Sequence, residues 1–276
     1  CDVAQYDVYN YPGWANQFYG CPSYVSDQVL KLKRQADPAG KVVFLVLMAE
    51  GLDVGRCPRL MLPDEQRCQT YLTIIHGAKG LSYFADSSFY TKRMFDTLSD
   101  LGREIKRFAP AVLSGEFYPA VRYAPVALDV ERQIYPDVQA TLFGNPAGGY
   151  ILLAANSAYH PVDVKFIVSG IKAAAGVMWL FEGRGLPVSA QGFSDHLVAF
   201  GTRAYALELM KDAAKPVALA LEQQAYPAKA LALKWFNPAV DFNNKRNCAA
   251  NPSFEDAAIE GVPDYVRPAT ADFQVQ

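Results

Sequence analysis

The stretch KVVFLVLMAEG, residues 41–51, decides the fold class of this chain. Eight consecutive apolar residues, 42–49, lead to an ionisable side chain, Glu50, and then to a glycine. A short apolar run bounded by polar and turn residues is typical of a strand buried on both faces of a parallel sheet. Glu50 therefore either marks the place where a buried strand meets water or is a catalytic carboxylate that the strand holds in position.

The residues around this strand alternate between strand and helix patterns as far as Glu116. The last helical pattern has apolar residues every three or four positions, which is the spacing of an amphipathic helix. Consecutive strand–helix units predict a parallel sheet, either the final three-eighths of a (β/α)8 barrel or part of an open sheet. The strand patterns are at 2–9, 42–49 and 80–85, and the helical patterns are at 23–35, 63–78 and 91–108.

After Glu116 the sequence changes to short alternating segments separated by Gly, Pro and Asn. Such segments are typical of antiparallel strands, so we expect a β-sandwich of seven or eight strands. The fold class is thus α/β plus all-β, with the strand–helix units in 1–116 and the sandwich in 117–210. We interpret the Ala-rich residues 211–250 as a connector and residues 251–276 as the start of a further β module.

The composition argues against two classes of protein. The 276 residues carry a formal net charge of -2 without a basic block, so the electrostatic signature of a nucleic-acid-binding protein is missing. No apolar run approaches the ~20 residues that span a membrane. The 16 Tyr, 16 Phe and 3 Trp suit a β-rich architecture and surfaces that stack on sugar rings.

The five cysteines leave the redox state open. Cys57 and Cys68 flank one loop, and Cys1 and Cys21 flank another, so two local disulfides can be drawn; the alternative is buried thiols. The CxxC pairs of a zinc site are missing. Because the chain begins at Cys1 within a strand pattern, we expect a mature or trimmed segment of a longer protein, with room for a targeting signal upstream.

Candidate ligand-binding residues lie at the end of the first strand and in the loop after it. Asp7 and Tyr9 are alternate residues and would share one face of the sheet. In a barrel that face points inward, either toward a sugar or into the packed layers of the interior. Trp14 would either stack on a sugar ring or cover the core.

Two more candidates follow the other strands. Asp86 comes just after the third strand, where it either belongs to a site or caps the following helix. Arg59 lies in the loop after the second strand. It would bind a hydroxyl or a carboxylate of a ligand, or pair with a nearby acid such as Glu65.

Several segments resemble the C-terminal half of a glycoside hydrolase barrel and the β-sandwich that follows it in large β-galactosidase-like proteins. The most specific is HGAKGLSYF (76–84), which resembles the family's short turn from the seventh helix into the eighth strand. The other barrel segments are DVAQYDVYNYP (2–12), VVFLVLMAEG (42–51) and LSDLGREIKRFAPAVLSGE (98–116). LLAANSAYHPVDVKF (152–166) and GFSDHLVAFGTRAYAL (192–207) resemble the following domain, and NPSFEDAAIEGVPDYV (251–266) resembles the first strand of a carbohydrate-binding jelly roll.

The resemblance implies a retaining mechanism with two carboxylates about 5 Å apart. In such barrels the acid/base ends the fourth strand, which is outside this sequence. The nucleophile ends the seventh strand, where the order of elements places Glu50. The resemblance also implies that Glu255 contributes to a structural calcium site, with a solvated acid as the alternative; no other cofactor is expected.

The sequence therefore predicts part of an extracellular glycoside hydrolase-like protein that acts on or binds carbohydrate. The remaining N-terminal part of the same protein would complete the barrel. The alternative is a catalytically inactive barrel that serves as a structural or carbohydrate-binding unit. Met48 favours that alternative, because relatives with a similar HGAKG segment carry a polar residue there. A third interpretation is an open-sheet α/β domain unrelated to glycosidases.

Overall fold

A computed structural model gives the fold of this chain. It describes residues 2–8, 22–49, 61–84, 91–114, 116–119, 126–127, 133–134, 136–158, 160–169, 177–179, 181, 183–189, 192–208 and 218–223. The N-terminal part alternates between strand and helix, as the sequence predicts. Its elements are β1 (Val3–Val8), α1 (Ser23–Ala36), a short 3-10 helix (Asp37–Ala39), β2 (Val42–Met48), α2 (Pro63–Ile75), β3 (Gly80–Phe84) and α3 (Lys92–Leu113).

The apolar run of residues 42–48 is the central strand of a parallel sheet with the order β1-β2-β3. One face of this sheet packs on α1, where Leu45 and Leu47 of β2 meet Val25 and Val29 of the helix. The other face is covered unevenly, because Val42 on it is 47% exposed whereas Met48 on it is 2% exposed. Within the described residues, β2 is therefore fully buried on one face and partly buried on the other.

The turn HGAKG (76–80) between α2 and β3 requires glycine at two positions. Gly77 has a φ of 98°, a backbone conformation that residues with a side chain rarely adopt. A Cβ on Gly80 would overlap the ring of Phe44, which lies next to it in register on β2. These contacts explain the small residues of this turn.

Helix α2 is buried on almost every side, because it lies between the parallel sheet and an antiparallel sheet. On one side Gln69 Nε2 donates to the carbonyl of Met48 at 2.7 Å. On the other side, Thr141 Oγ1 donates to the carbonyl of Ile75 at 2.7 Å and Cys68 Sγ donates to that of Asn156 at 3.3 Å.

The rest of the described chain is antiparallel. The strands are β4 (Phe117–Pro119), β5 (Val126–Ala127), β6 (Gln133–Ile134), β7 (Val138–Gly144), β8 (Tyr150–Asn156), β9 (Val162–Val168), β10 (Val177–Trp179), β11 (Gly185–Leu186), β12 (Phe193–Leu197), β13 (Thr202–Leu207) and β14 (Leu219–Gln223). A six-stranded sheet has the order β11-β10-β13-β8-β7-β4, a three-stranded sheet has the order β12-β9-β14, and β5 pairs with β6.

The two larger antiparallel sheets share one hydrophobic core. Phe166 and Phe193 of the three-stranded sheet have ring centroids 4.9 Å apart, and both contact Tyr205 of the six-stranded sheet. The opposite face of the six-stranded sheet packs on the helices, where Phe143 and Leu153 are in one cluster with side chains of α2 and α3. The order of layers is parallel sheet, helices, six-stranded sheet and three-stranded sheet.

The structure differs from the sequence-based expectations at two places. β14 lies in the segment that the sequence assigns to the connector, yet it pairs with β9, because buried Leu219 joins the core between the antiparallel sheets. The antiparallel region therefore extends beyond the expected boundary at residue 210. Cys68 is a buried thiol that faces β8. Of the two alternatives for this cysteine, the structure therefore supports the buried thiol and not a disulfide with Cys57.

Other expectations fall on residues that the structure does not describe. The module expected at 251–276 lies outside the described residues, as do Cys1 and Cys21. None of the helices in the described ranges is long and apolar enough to cross a membrane.

Candidate functional site

The carboxyl ends of the three parallel strands lie side by side at one edge of the parallel sheet. Val8, Met48 and Phe84 end β1, β2 and β3, and the register pairs Val8 with Leu47 and Met48 with Phe84. The loops after parallel strands all leave at this edge, so side chains that follow the strands converge there. The sequence-predicted site residues other than Glu255 lie in β1 or in the sequence that follows one of these strands.

Of those residues, the structure describes Asp7. Its side chain is exposed, and it pairs in register with Val46. Because neighbouring residues of a strand point to opposite faces, Asp7 lies on the face away from Val8, which packs with the side chains of α1. The carboxylate is therefore on the face of the sheet that the helices do not cover.

The other candidates lie outside the described residues, and their assignment stays a prediction. They are Tyr9, Trp14, Glu50, Arg59, Asp86 and Glu255. Glu65, which the sequence offers as a partner for Arg59, is buried and accepts a hydrogen bond from the backbone N–H of Leu62 at 2.8 Å. Its carboxylate thus contributes to the start of α2.

Hydrogen bonds hold the end of β2 from two sides. Gln69 of α2 donates to the Met48 carbonyl, and the backbone N–H of Ala49 donates to the Phe84 carbonyl at 3.1 Å. Met48 and Ala49 are 2% and 0% exposed. The backbone that leads to Glu50 is therefore fixed by α2 and β3, whatever the carboxylate of Glu50 contacts.

The face of α2 toward the sheet is polar, and sequence reasoning missed it. Gln66, Gln69, Thr70 and Thr73 are all buried. Thr70 Oγ1 lies 3.0 Å from the hydroxyl of Tyr83, whereas the amide of Gln66 has no hydrogen-bond partner in the described part of the chain. The polar residues recur every three or four positions, and this spacing is the signal that could have identified a polar helix face beneath the strand ends.

The described residues include no group of three His, Cys, Asp or Glu side chains that could hold a metal ion. Glu255, for which the resemblance implies a calcium site, lies outside them. The calcium assignment therefore stays a prediction.

Comparison with known proteins finds similar solved structures. α-Galactosidase I from Mortierella vinacea is 10% identical, with a TM-score of 0.48 over 77% of this chain and 54% of that one. A β-L-arabinopyranosidase from Geobacillus stearothermophilus is 11% identical, with a TM-score of 0.44 over 75% and 46%. An Anoxybacillus α-amylase is 10% identical, with a TM-score of 0.43 over 69% and 46%.

These three proteins are glycosidases by name, and this chain spans about half of the length of each. No family model matches the chain, and neither does any curated protein.

Proposed function

We propose that this chain is the C-terminal part of a (β/α)8 barrel and its following β-sandwich, in an extracellular glycoside hydrolase-like protein. The observation that carries the proposal is the parallel sheet. Helices cover one face, Asp7 is exposed on the other, and Glu50 follows the central strand. In a closed barrel the uncovered face becomes the interior, and the loops after the strands form the active site.

The edges of the parallel sheet also support this proposal. Within the described residues, β1 and β3 are the two edge strands of this sheet, and each of them pairs with β2 alone. A groove of about 350 Å³ beside β3 and α3 is lined mainly by apolar side chains, among them Leu81 and Ile105. Another strand–helix unit beside β3 would pair with the strand edge and fill the groove. The remaining N-terminal part of the same protein would supply such units.

In the proposed mechanism Glu50 attacks the anomeric carbon, and a carboxylic acid from the upstream part protonates the leaving oxygen. The two carboxyl groups would lie about 5 Å apart, as retention requires. Asp7, Tyr9, Arg59 and Asp86 would hydrogen-bond to the sugar, because each ends or follows one of the three parallel strands in the sequence. Trp14 would stack on a sugar ring.

The test is the hydrolysis of aryl glycosides by the intact protein and its Glu50→Gln variant. Removing the nucleophile is expected to lower kcat/KM by at least ~1,000-fold, because no group then forms the covalent intermediate. Glu222→Gln is the matched control, since Glu222 is exposed on β14 and pairs with Lys165, away from the parallel sheet. Unchanged turnover by Glu50→Gln would remove the nucleophile assignment.

A catalytically inactive, carbohydrate-binding barrel is the second candidate function. Met48 favours it, because this buried apolar side chain occupies the end of the strand that leads to Glu50. In that case the intact protein binds sugars without hydrolysing any aryl glycoside, and Glu50→Gln leaves binding within about twofold.

The C-terminal residues add to the proposal. We assign residues 251–276 to the start of a carbohydrate-binding module, in which Glu255 helps to bind a structural calcium ion. The resemblance of residues 251–266 to the first strand of such modules supports this assignment. Calcium titration of the intact protein and of Glu255→Gln, followed by calorimetry, tests it.

A further inference from the structure

A second cavity lies apart from the edge of the parallel sheet. It has a volume of about 370 Å³ and is formed by α2, α3, the turn of residues 198–201 and the start of β13. None of its lining residues belongs to the parallel sheet. The volume is within the range of ~300–1,000 Å³ that is typical of small-molecule sites.

One wall of the cavity is a network of charged and polar side chains. Arg67 Nη2 donates to both carboxylate oxygens of Glu104, at 2.7 and 2.8 Å, and the Tyr71 hydroxyl donates to Glu104 Oε2 at 2.9 Å. Burial and the Glu104 carboxylate raise the pKa of Tyr71 well above its usual value, so the phenol keeps its proton. The network thus fixes the Arg67 side chain between α2 and α3.

Within the described residues, the network leaves hydrogen-bonding groups of Arg67 and Asp64 facing no protein partner. The bonds of Arg67 to Glu104 come from Nη2, and its Nε and Nη1 groups have no acceptor among the described residues. Asp64, one helical turn before Arg67, also lines the cavity, and its exposed carboxylate accepts no hydrogen bond within the described ranges. Donors and acceptors therefore lie together on one wall.

Phe181 and Phe200 add aromatic surface to the lining of the cavity. Phe181 lines the cavity, with its ring centroid 6.3 Å from that of Phe108. Phe200 holds the turn, because its side chain is 7% exposed and packs among α2 and α3, while its backbone has a φ of 55°. A non-glycine residue in this conformation costs energy, and the burial of its ring offsets that cost.

The charges lining the cavity balance. Arg67 and Arg203 provide two positive charges, and Asp64 and Glu104 provide two negative charges. Arg203 Nε also lies 3.6 Å from Asp195 Oδ2, which is not among the lining residues. A cavity of this kind attracts neither anions nor cations, but it can satisfy a neutral ligand that both donates and accepts hydrogen bonds.

We propose that this cavity is a second carbohydrate-binding site, which takes a neutral monosaccharide or disaccharide. Adjacent hydroxyl groups of a sugar would accept from Arg67 and donate to Asp64, and a C–H-rich face of the ring would pack on Phe181. The choice of a sugar as ligand class rests on the proposed function, but the site itself does not depend on Glu50 or on turnover.

The test is binding of D-galactose, D-glucose and maltose to the intact protein, measured by saturation-transfer NMR and calorimetry. Val198 lines the cavity and is 53% exposed, so Val198→Trp fills the cavity without entering the core. This variant is expected to weaken binding at least tenfold, whereas Val198→Ala keeps the cavity open and is the matched control.

Asp64→Asn should weaken binding about tenfold by removing a charged acceptor. Asp96→Asn, on the exposed side of α3, should not.

The proposal is overturned if none of the three sugars binds saturably, or if Val198→Trp binds them as the unchanged protein does. Competition by sodium acetate or sodium sulfate at equal concentration would also overturn it, because the site would then be an ion site. Aryl glycoside hydrolysis by Val198→Trp should equal that of the unchanged protein. Failure of the second site and failure of the Glu50 assignment are therefore separate results.

Discussion

His76 ends helix α2, and its imidazole lies in a network of side chains that joins three elements. Its Nε2 atom donates to Gln139 Oε1 at 2.6 Å, and Ser26 of α1 donates to the same oxygen at 2.8 Å. Gln139 Nε2 in turn donates to Ser157 at 3.3 Å. The sequence suggests a histidine that interacts with the last carbonyls of its helix. Gln139 is 63 residues away and no local pattern points to it.

His76 is expected to make the protein less stable at acidic pH. Burial lowers its pKa from 6.5 to about 4, so the folded protein keeps the ring neutral where the unfolded chain takes up a proton. The free energy of unfolding should therefore fall as the pH decreases from 6.5 to 4, by up to about 3 kcal/mol, and should be unaffected by this group above 6.5.

Urea unfolding between pH 4 and pH 7 measures this slope, and His76→Gln should flatten it. The glutamine amide can still donate to Gln139. His196→Gln removes an exposed imidazole on β12 and is the matched control for the loss of one histidine. A slope that is the same with and without His76 contradicts the prediction.

At the scale of single elements, α3 is the one that follows most directly from its sequence. Met94, Leu101 and Phe108 recur at intervals of seven and are buried, as the amphipathic pattern predicts. The helix begins at Lys92 because Thr91, its N-cap, accepts a hydrogen bond from the backbone N–H of Met94 at 3.1 Å. Both features depend on residues close in sequence, so both could be recognised there.

Thr91→Ala should lower the free energy of unfolding by about 1 kcal/mol, because the backbone N–H of Met94 loses its acceptor at the start of the helix. Thr97→Ala on the same helix is the matched control. Thr97 Oγ1 donates to the carbonyl of Arg93, so alanine there removes no cap and should change stability by less than about 0.5 kcal/mol. Equal losses from the two substitutions, by thermal or urea unfolding, would count against this role of Thr91.

Helix α2 shows the opposite case. Its sequence mixes Gln and Thr with apolar residues, so no single apolar stripe marks a buried face. The structure resolves this because two different layers cover the helix, a parallel sheet on the polar side and the six-stranded sheet on the other. Periodicity identifies the helix but cannot show that it is covered twice.

At the scale of the whole molecule, the six-stranded sheet links the two parts of the chain. Its outer face packs on the same cluster as Tyr71, Leu101 and Phe108 of α2 and α3. Its inner face packs on the three-stranded sheet. The strand–helix region therefore depends on residues after 116 for the cover of its helices.

A fragment of residues 1–116 is expected to be much less stable than a fragment of residues 1–223. Without the six-stranded sheet, each large side chain of the α2–α3 cluster loses roughly 2 kcal/mol of burial free energy. The shorter fragment should bind the dye ANS strongly and unfold at lower urea, as followed by far-UV circular dichroism. Equal urea midpoints for the two fragments would mean that the sheet does not stabilise the helices.

The sequence by itself determined the strand–helix alternation, the parallel nature of the first sheet and the antiparallel nature of the second part. These depend on spacing, turn residues and caps, which act over a few residues. Only the tertiary structure decided that α2 is buried between two sheets, that Leu219–Gln223 joins the antiparallel core, and that Arg67, Tyr71 and Glu104 meet at a cavity. Arg67 and Glu104 are 37 residues apart, and contacts over such distances arise from the packing of whole layers.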